Sequence, residues 1–260
     1  VAVVNNKFLS YHEFRENVLA LRRYYQRQEQ LSGGVQAMPP IEKIREDVLR
    51  RMITNELIRQ LAGKSNIAVS QKEINDKYSQ IGQDAGGEKK VAEIINDLYG
   101  WEPEVYKKRV LEISLLADKL DNFLLFSSDI NSKEKGLIQE AYGKLKSEIA
   151  ESQTIEEKSR NFIKSALQYD QSDNKGSFGL AKVSTLPNSI KSFASSAKVG
   201  DISQVIRIRN GYMILILETK SGKNEVEAQV DLKQIFIKAK GLDDMLKEEQ
   251  TKAQVRRFFR

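Results

Sequence analysis

The sequence contains no cysteine. Disulfide frameworks, thiol nucleophiles and thiolate metal sites are excluded together. Histidine is almost missing too. His12 is the only one, and no metal-ligand cluster accompanies it, so neither a metal nor another cofactor is expected. It sits inside Ser10-Tyr11-His12-Glu13, where an exposed helix position is the plain reading and no partner for acid–base work is at hand. Proline is scarce, at 4 residues in 260, which leaves room for long uninterrupted helices. No apolar run approaches the ~20 residues that a membrane-spanning helix needs. The chain begins at Val1 without an initiator methionine, and removal of a leader or a membrane anchor ahead of it is an expectation on that ground.

What is present is enough for one large domain or two ordinary ones: 260 residues, 40% of them apolar, can bury real cores. The net charge of +6 arises from 42 basic and 36 acidic residues interspersed along the chain, a pattern of solvated, mixed-sign helix faces. Basic residues adjoin aromatics only at Arg22-Arg23-Tyr24-Tyr25 and Arg256-Arg257-Phe258-Phe259. That is too little for a nucleic-acid interface, and no nucleic-acid partner is expected.

Val1 to Leu9 reads as two short strands about an Asn5-Asn6 turn, because asparagine tolerates the left-handed backbone of tight hairpins. A capping box at Ser10 and Glu13 opens a helix to about Gln30. Ile41, Ile44, Val48, Met52, Leu57 and Leu61 mark a second amphipathic helix ending near Gly63. Ser70-Gln71-Lys72-Glu73 is a further capping box, Gly86-Gly87 a break, and Val91 to Leu98 a short helix. After Tyr99-Gly100-Trp101-Glu102-Pro103 one long helix is expected, carrying Val105, Val110, Leu111, Leu115, Leu116 and Leu120. More helices start near Asn131 and after Thr154. Beyond Gln168 the character changes to β: Val205 to Ile208 and Tyr212 to Glu218 flank Asn210-Gly211 as a hairpin, and Leu232 to Lys238 is another strand.

Four spaced motifs occupy this second region: Gly176-Ser177-Phe178-Gly179-Leu180, Leu186-Pro187-Asn188-Ser189-Ile190, Val199-Gly200-Asp201-Ile202-Ser203 and Asn210-Gly211-Tyr212-Met213-Ile214-Leu215. In this order they resemble the later part of a parvulin-type prolyl isomerase, each motif recognisable but eroded. Towards the N-terminus, Val1 to Asn6, Val48 to Leu57, Ile67 to Ser70 and Leu98 to Trp101 resemble SurA-type chaperone domains. Together the chain is similar to SurA/PrsA-type extracytoplasmic foldases. The resemblance implies an α+β protein: a helical chaperone domain over residues 1–126, with a small terminal sheet completed by residues 242–260, and a parvulin-like domain over 127–241 with about four antiparallel strands and flanking helices. It also implies unfolded or nascent exported polypeptides as partners, outside the cytoplasm.

A parvulin normally opens with its central strand, yet residues 118–130 contain no convincing one. Val230 to Lys238 matches better, which makes the domain circularly permuted with its central strand last. The competing topology takes Asn122-Phe123-Leu124-Leu125 as the first strand. In a SurA-like arrangement the C-terminal strand, Ala253 to Phe259, should meet the N-terminal hairpin.

The resemblance also assigns site positions. Phe178, Leu186, Ile190, Met213 and Gln234 fall where the family binds the prolyl peptide. Its two catalytic histidines are replaced by Gln234 (Asn122 in the competing topology) and Met213, and its cysteine or aspartate position falls at Tyr169 or Asp170. Isomerisation must weaken a C–N bond whose rotational barrier is ~18–20 kcal/mol, and an isolated acid leaves that hydrogen-bond network incomplete. A chaperone with an inactive isomerase domain is therefore the first expectation. A weak prolyl isomerase and a structural adaptor of the envelope are the alternatives. Tyr11, Phe14, Tyr24, Tyr25 and Trp101 are candidate groove aromatics, although aromatics at helical spacing more often belong to a core.

Overall fold

A computed structural model describes residues 1–35, 37–126, 129–208, 210–222 and 228–258. The chain divides into two compact units, residues 1–121 with 242–260, and residues 122–241.

In the first unit β1 (Ala2–Val4) and β2 (Lys7–Leu9) form the expected hairpin. Asn5 and Asn6 take φ of 49° and 51° at its turn, the left-handed region that asparagine enters at low cost. β7 (Val255–Arg257) pairs antiparallel with the other edge of β1, so that Val3 lies between Phe8 and Arg256. The two ends of the chain meet in one sheet, as the resemblance implies; Phe259, the last residue assigned to that strand, lies outside the described residues.

Helix α1 (Tyr11–Leu31) starts at Ser10, whose hydroxyl accepts from the Glu13 N–H at 3.4 Å. Helix α2 (Ile41–Lys64) buries Ile44, Val48, Met52, Ile53, Leu57 and Leu61. Each such side chain contributes about 1.5–3 kcal/mol when fully buried. At α3 (Gln71–Ala85) the Ser70–Glu73 box is complete in both directions. α4 (Glu88–Tyr99) ends on Gly100 in the left-handed region, as helix ends favour.

The long helix expected from residue 103 is not uniform. α5 (Pro103–Tyr106) passes into a π turn (Lys107–Leu111) before α6 (Glu112–Phe126). Leu111 enters the cluster of Ile74, Tyr78, Val91 and Ile95, while Arg109 reaches Glu16 and Asn17 on α1. The wider i→i+5 turn lets one short segment hold both contacts. α10 (Leu242–Lys252) closes the unit, with its Leu242 N–H on the Asp121 carboxylate at 2.9 Å and its Glu249 paired to Lys64 at 2.9 Å.

The second unit contains α7 (Ser132–Glu151), α8 (Ile155–Tyr169), β3 (Ser177–Lys182), α9 (Asn188–Ser196), β4 (Ile206–Ile208), β5 (Gly211–Ser221) and β6 (Gln229–Lys238). The sheet order is β3-β6-β5-β4, antiparallel throughout. β6, last in sequence, is thus a central strand, as the permuted topology requires. The competing strand at residues 122–125 is overturned, because those residues lie in α6. Leu116, Leu120 and Leu124 continue a four-residue spacing through them, which is a helical period.

β5 is buried on both faces, and its side chains alternate between two cores. Tyr212, Ile214 and Ile216 join α7 and α8, while Met213, Leu215 and Leu217 join α9. The Tyr212 hydroxyl donates to the Leu125 carbonyl, and burial raises its pKa above the usual tyrosine value. Gly211 is required by close approach: a Cβ there would stand 2.2 Å from the Ile237 carbonyl oxygen.

Candidate functional site

The positions inherited from the parvulin resemblance converge on one face of the second sheet. In the β5–β6 ladder Leu215 faces Gln234 and Met213 faces Phe236. Alternation along the strands then sets Gln234 diagonally beside Met213, on the face covered by α9. Leu186 precedes α9, Ile190 lies on it, and Phe178 comes from β3. All five residues are brought together. Leu186, Ile190, Met213 and Gln234 are buried, at 8%, 3%, 4% and 6% exposure, and Phe178 is half-buried. Leu186, Ile190 and Met213 belong to one apolar cluster with Phe178 packed against it, and neither Met213 nor Gln234 carries a proton that titrates.

Asp170 is committed to the loop. One carboxylate oxygen accepts the Phe236 N–H at 2.7 Å, and the other accepts the Gly176 N–H at 2.8 Å, the Ser172 N–H at 3.2 Å and the Ser172 hydroxyl at 2.5 Å. These bonds fasten residues 170–176 to β6. Gly176 meets two demands there, with φ at 85° and its Cα so close to Ala166 that a Cβ would sit 2.8 Å from that methyl. Tyr169 turns the opposite way, into the α7 side of the core, where its hydroxyl donates to Glu140 at 2.8 Å. That hydrogen bond raises the pKa of the phenol.

A second feature lies within the first unit and was not visible as a sequence motif. A cavity of about 1020 Å³ opens between the start of α1, the middle of α2 and residues 99–114. Leu9, Ala20, Met52 and Ile113 supply apolar lining. An aromatic wall stands beside them: the Tyr99 ring stacks on Tyr24, Trp101 and Tyr106, at centroid distances of 5.7, 5.4 and 6.5 Å. The Arg109 guanidinium lies 5.4 Å from the Trp101 ring, pairs with Glu16 and donates to Asn17 at 3.3 Å. The Arg109 hydrogen bond holds the Glu16 carboxyl below the usual carboxylate range. Burial pushes the Tyr99 and Tyr106 phenols up.

Of the five aromatics singled out from sequence, Trp101 lines this groove and Tyr24 backs it through Tyr99. Tyr25 packs edge-on to Tyr24, and Tyr11 lies 6.4 Å from Phe14 near the start of α1. His12 is an exposed helix residue, 3.2 Å from Glu16. Among the described residues no group of acidic, histidine or cysteine side chains could hold a metal ion, and no helix is long and apolar enough to cross a membrane.

Two family models match the chain. Residues 1–86 match the SurA-like N-terminal domain, and residues 125–219 match the PPIC-type PPIase domain. The chain thus carries, in order, a stretch similar to the SurA-like N-terminal domain and a stretch similar to the PPIC-type PPIase domain. Chaperone SurA of Pseudomonas fluorescens is 25% identical over 293 residues, covering 100% of this chain and 66% of the relative. Chaperone SurA of Pseudomonas putida is 26% identical, with 92% and 62% covered, and that of Nitrosococcus oceani is 23% identical, with 96% and 64% covered. The chain therefore spans less than two thirds of the length of these relatives. The isomerase match ends at residue 219, short of β6, so the PPIC-type sheet takes a central strand from beyond the matched stretch.

Proposed function

We propose that this protein is an extracytoplasmic chaperone for unfolded or nascent exported polypeptides, and that its parvulin-like unit is catalytically silent. The observation that carries the first part is the groove of the SurA-like unit, an opening whose lining mixes apolar side chains with charged ones and has stacked rings on one side. Such a surface suits extended segments whose side chains vary, because burial of apolar area is non-directional. The relatives named Chaperone SurA support the same reading.

The reading of the second unit as silent is supported by what its residues offer. A prolyl amide loses double-bond character when hydrogen bonds and desolvation favour the twisted state over the planar one. Gln234 and Met213 replace the family's histidines, and the Asp170 carboxylate is engaged by four donors of its own loop and strand. On this reading client contact with the unit is made by Phe178, backed by Leu186, Ile190, Met213 and Gln234.

Aggregation of a chemically unfolded exported protein should be suppressed by near-stoichiometric amounts of this chain. Refolding limited by proline isomerisation should proceed at its uncatalysed rate. Acceleration that vanishes in Leu186→Ala or Met213→Ala would favour the weak isomerase, whereas absence of suppression would favour the envelope adaptor.

A further inference from the structure

The charges around the groove are not balanced within the protein. Five cations line it, Lys7, Arg51, Arg59, Lys108 and Arg109; Arg109 pairs with Glu16, and among the described residues the other four have no ion-pair partner. Of the lining carboxylates, Glu104 pairs with Lys107 and Glu56 accepts from Gln60. The Gln60 amide is neutral, so Glu13, Glu56 and Glu112 remain without a cation, and the four unpaired cations exceed these three carboxylates by one charge. Arg51 lines the same cavity as Tyr99, Trp101 and Tyr106 of the aromatic wall.

Arg51, Asn55 and Arg59 all line the groove from α2 at intervals of four residues, and residues so spaced rise along one side of a helix. From Arg51 to Arg59 the helix advances about 12 Å, at 1.5 Å per residue. An extended chain covers that distance in about four residues, at 3.2–3.4 Å each, and its period of two returns residues i and i+4 to the same face.

Resting on the chaperone reading, we infer that the groove selects extended client segments bearing two carboxylates four residues apart, one received by Arg51 and the other by Arg59. The planar guanidinium fork suits a carboxylate, whereas a lysine side chain at the same place on the client would meet like charge. The apolar lining and rings hold the intervening residues, and the arginine pair fixes register and charge preference.

Trp101 is the only tryptophan and lies in the groove, so its emission reports occupancy of this site in the full chain. The probes are ten-residue peptides free of tryptophan and tyrosine, identical except at two positions. They carry two aspartates four apart, two aspartates three apart, two asparagines four apart, or two lysines four apart. At low salt the first should bind about five- to tenfold more tightly than the asparagine peptide, the range that two partly exposed ion pairs supply. It should also exceed the three-apart peptide, and the advantage should fade in 0.5 M salt.

Arg51→Gln with Arg59→Gln should abolish the advantage while leaving asparagine-peptide binding in place. Arg51→Glu with Arg59→Glu should shift preference to the lysine peptide; far-UV circular dichroism identifies any variant that has lost its helices. Equal binding of the aspartate and asparagine peptides overturns this inference and leaves the chaperone reading standing. Suppression of aggregation with no peptide altering Trp101 emission overturns the choice of groove. Loss of both signals overturns the chaperone reading itself.

Discussion

Asp170 was a candidate catalytic acid by alignment with a motif, and its four hydrogen bonds give it a different task. Asp170→Ala leaves the amides of Phe236 and Gly176 without acceptors, and an unsatisfied buried donor costs about 1–3 kcal/mol. Partial access of water offsets some of this, so a net loss of about 2–3 kcal/mol is expected from the second unit in urea unfolding. Asp170→Asn keeps one acceptor oxygen and should lose less. At Glu73 the carboxyl is held at about 2, below the ordinary 4.5, first by the hydrogen bond from Lys119 and then by the backbone and hydroxyl of Ser70. A lowered folded-state value favours the ionised form, so its stabilising effect is complete above pH 4.5 and declines as pH falls towards 2. Thermal melts of the protein and Glu73→Gln should therefore differ most near neutral pH and converge by about pH 2.

At the scale of elements, the hairpins, the capped helix starts and most helix spans were legible in the sequence because each rests on neighbours in the chain. The boxes at Ser70 and Thr154 form in both directions. The π turn was not legible, since Pro103 and the following leucines suit a regular helix equally well; only contacts to α1 and α3 select the extra residue. Arg109→Ala removes its bonds to Glu16 and Asn17 and its place on Trp101. Glu16 is partly exposed, so the cost should be only about 1 kcal/mol, accompanied by a change in Trp101 emission. Gly211 reads as a turn residue in sequence, whereas the structure makes it a point of contact between strands. Gly211→Ala should destabilise the second unit by about 1–3 kcal/mol through overpacking, measured as a lowered midpoint in urea.

Across the whole molecule, each unit depends on a segment far away in sequence. β7 completes the sheet of the first unit beside β1, where Ala2 and Val4 are fully buried. Deleting residues 253–260 should lower the urea midpoint followed by Trp101 fluorescence, because Trp101 belongs to that unit. The transition of the second unit, followed by its tyrosines, should stay in place. In the second sheet β6 follows β5 closely but brings it together with β3, some fifty residues earlier in the chain.

The sequence alone determined the two kinds of region, the periods of the helices and strands, the terminal hairpin and the absence of cysteine chemistry. These are properties of composition and of residues a few positions apart. The central place of β6 was also within reach, through the resemblance of Val230 to Lys238 to the strand with which a parvulin opens. Only the tertiary structure decided the π turn, the occupation of Asp170, the burial of the residues around Met213 and the groove beside Trp101. Each is a meeting of residues distant along the chain, and no local preference encodes which side chains will face one another once the cores have closed.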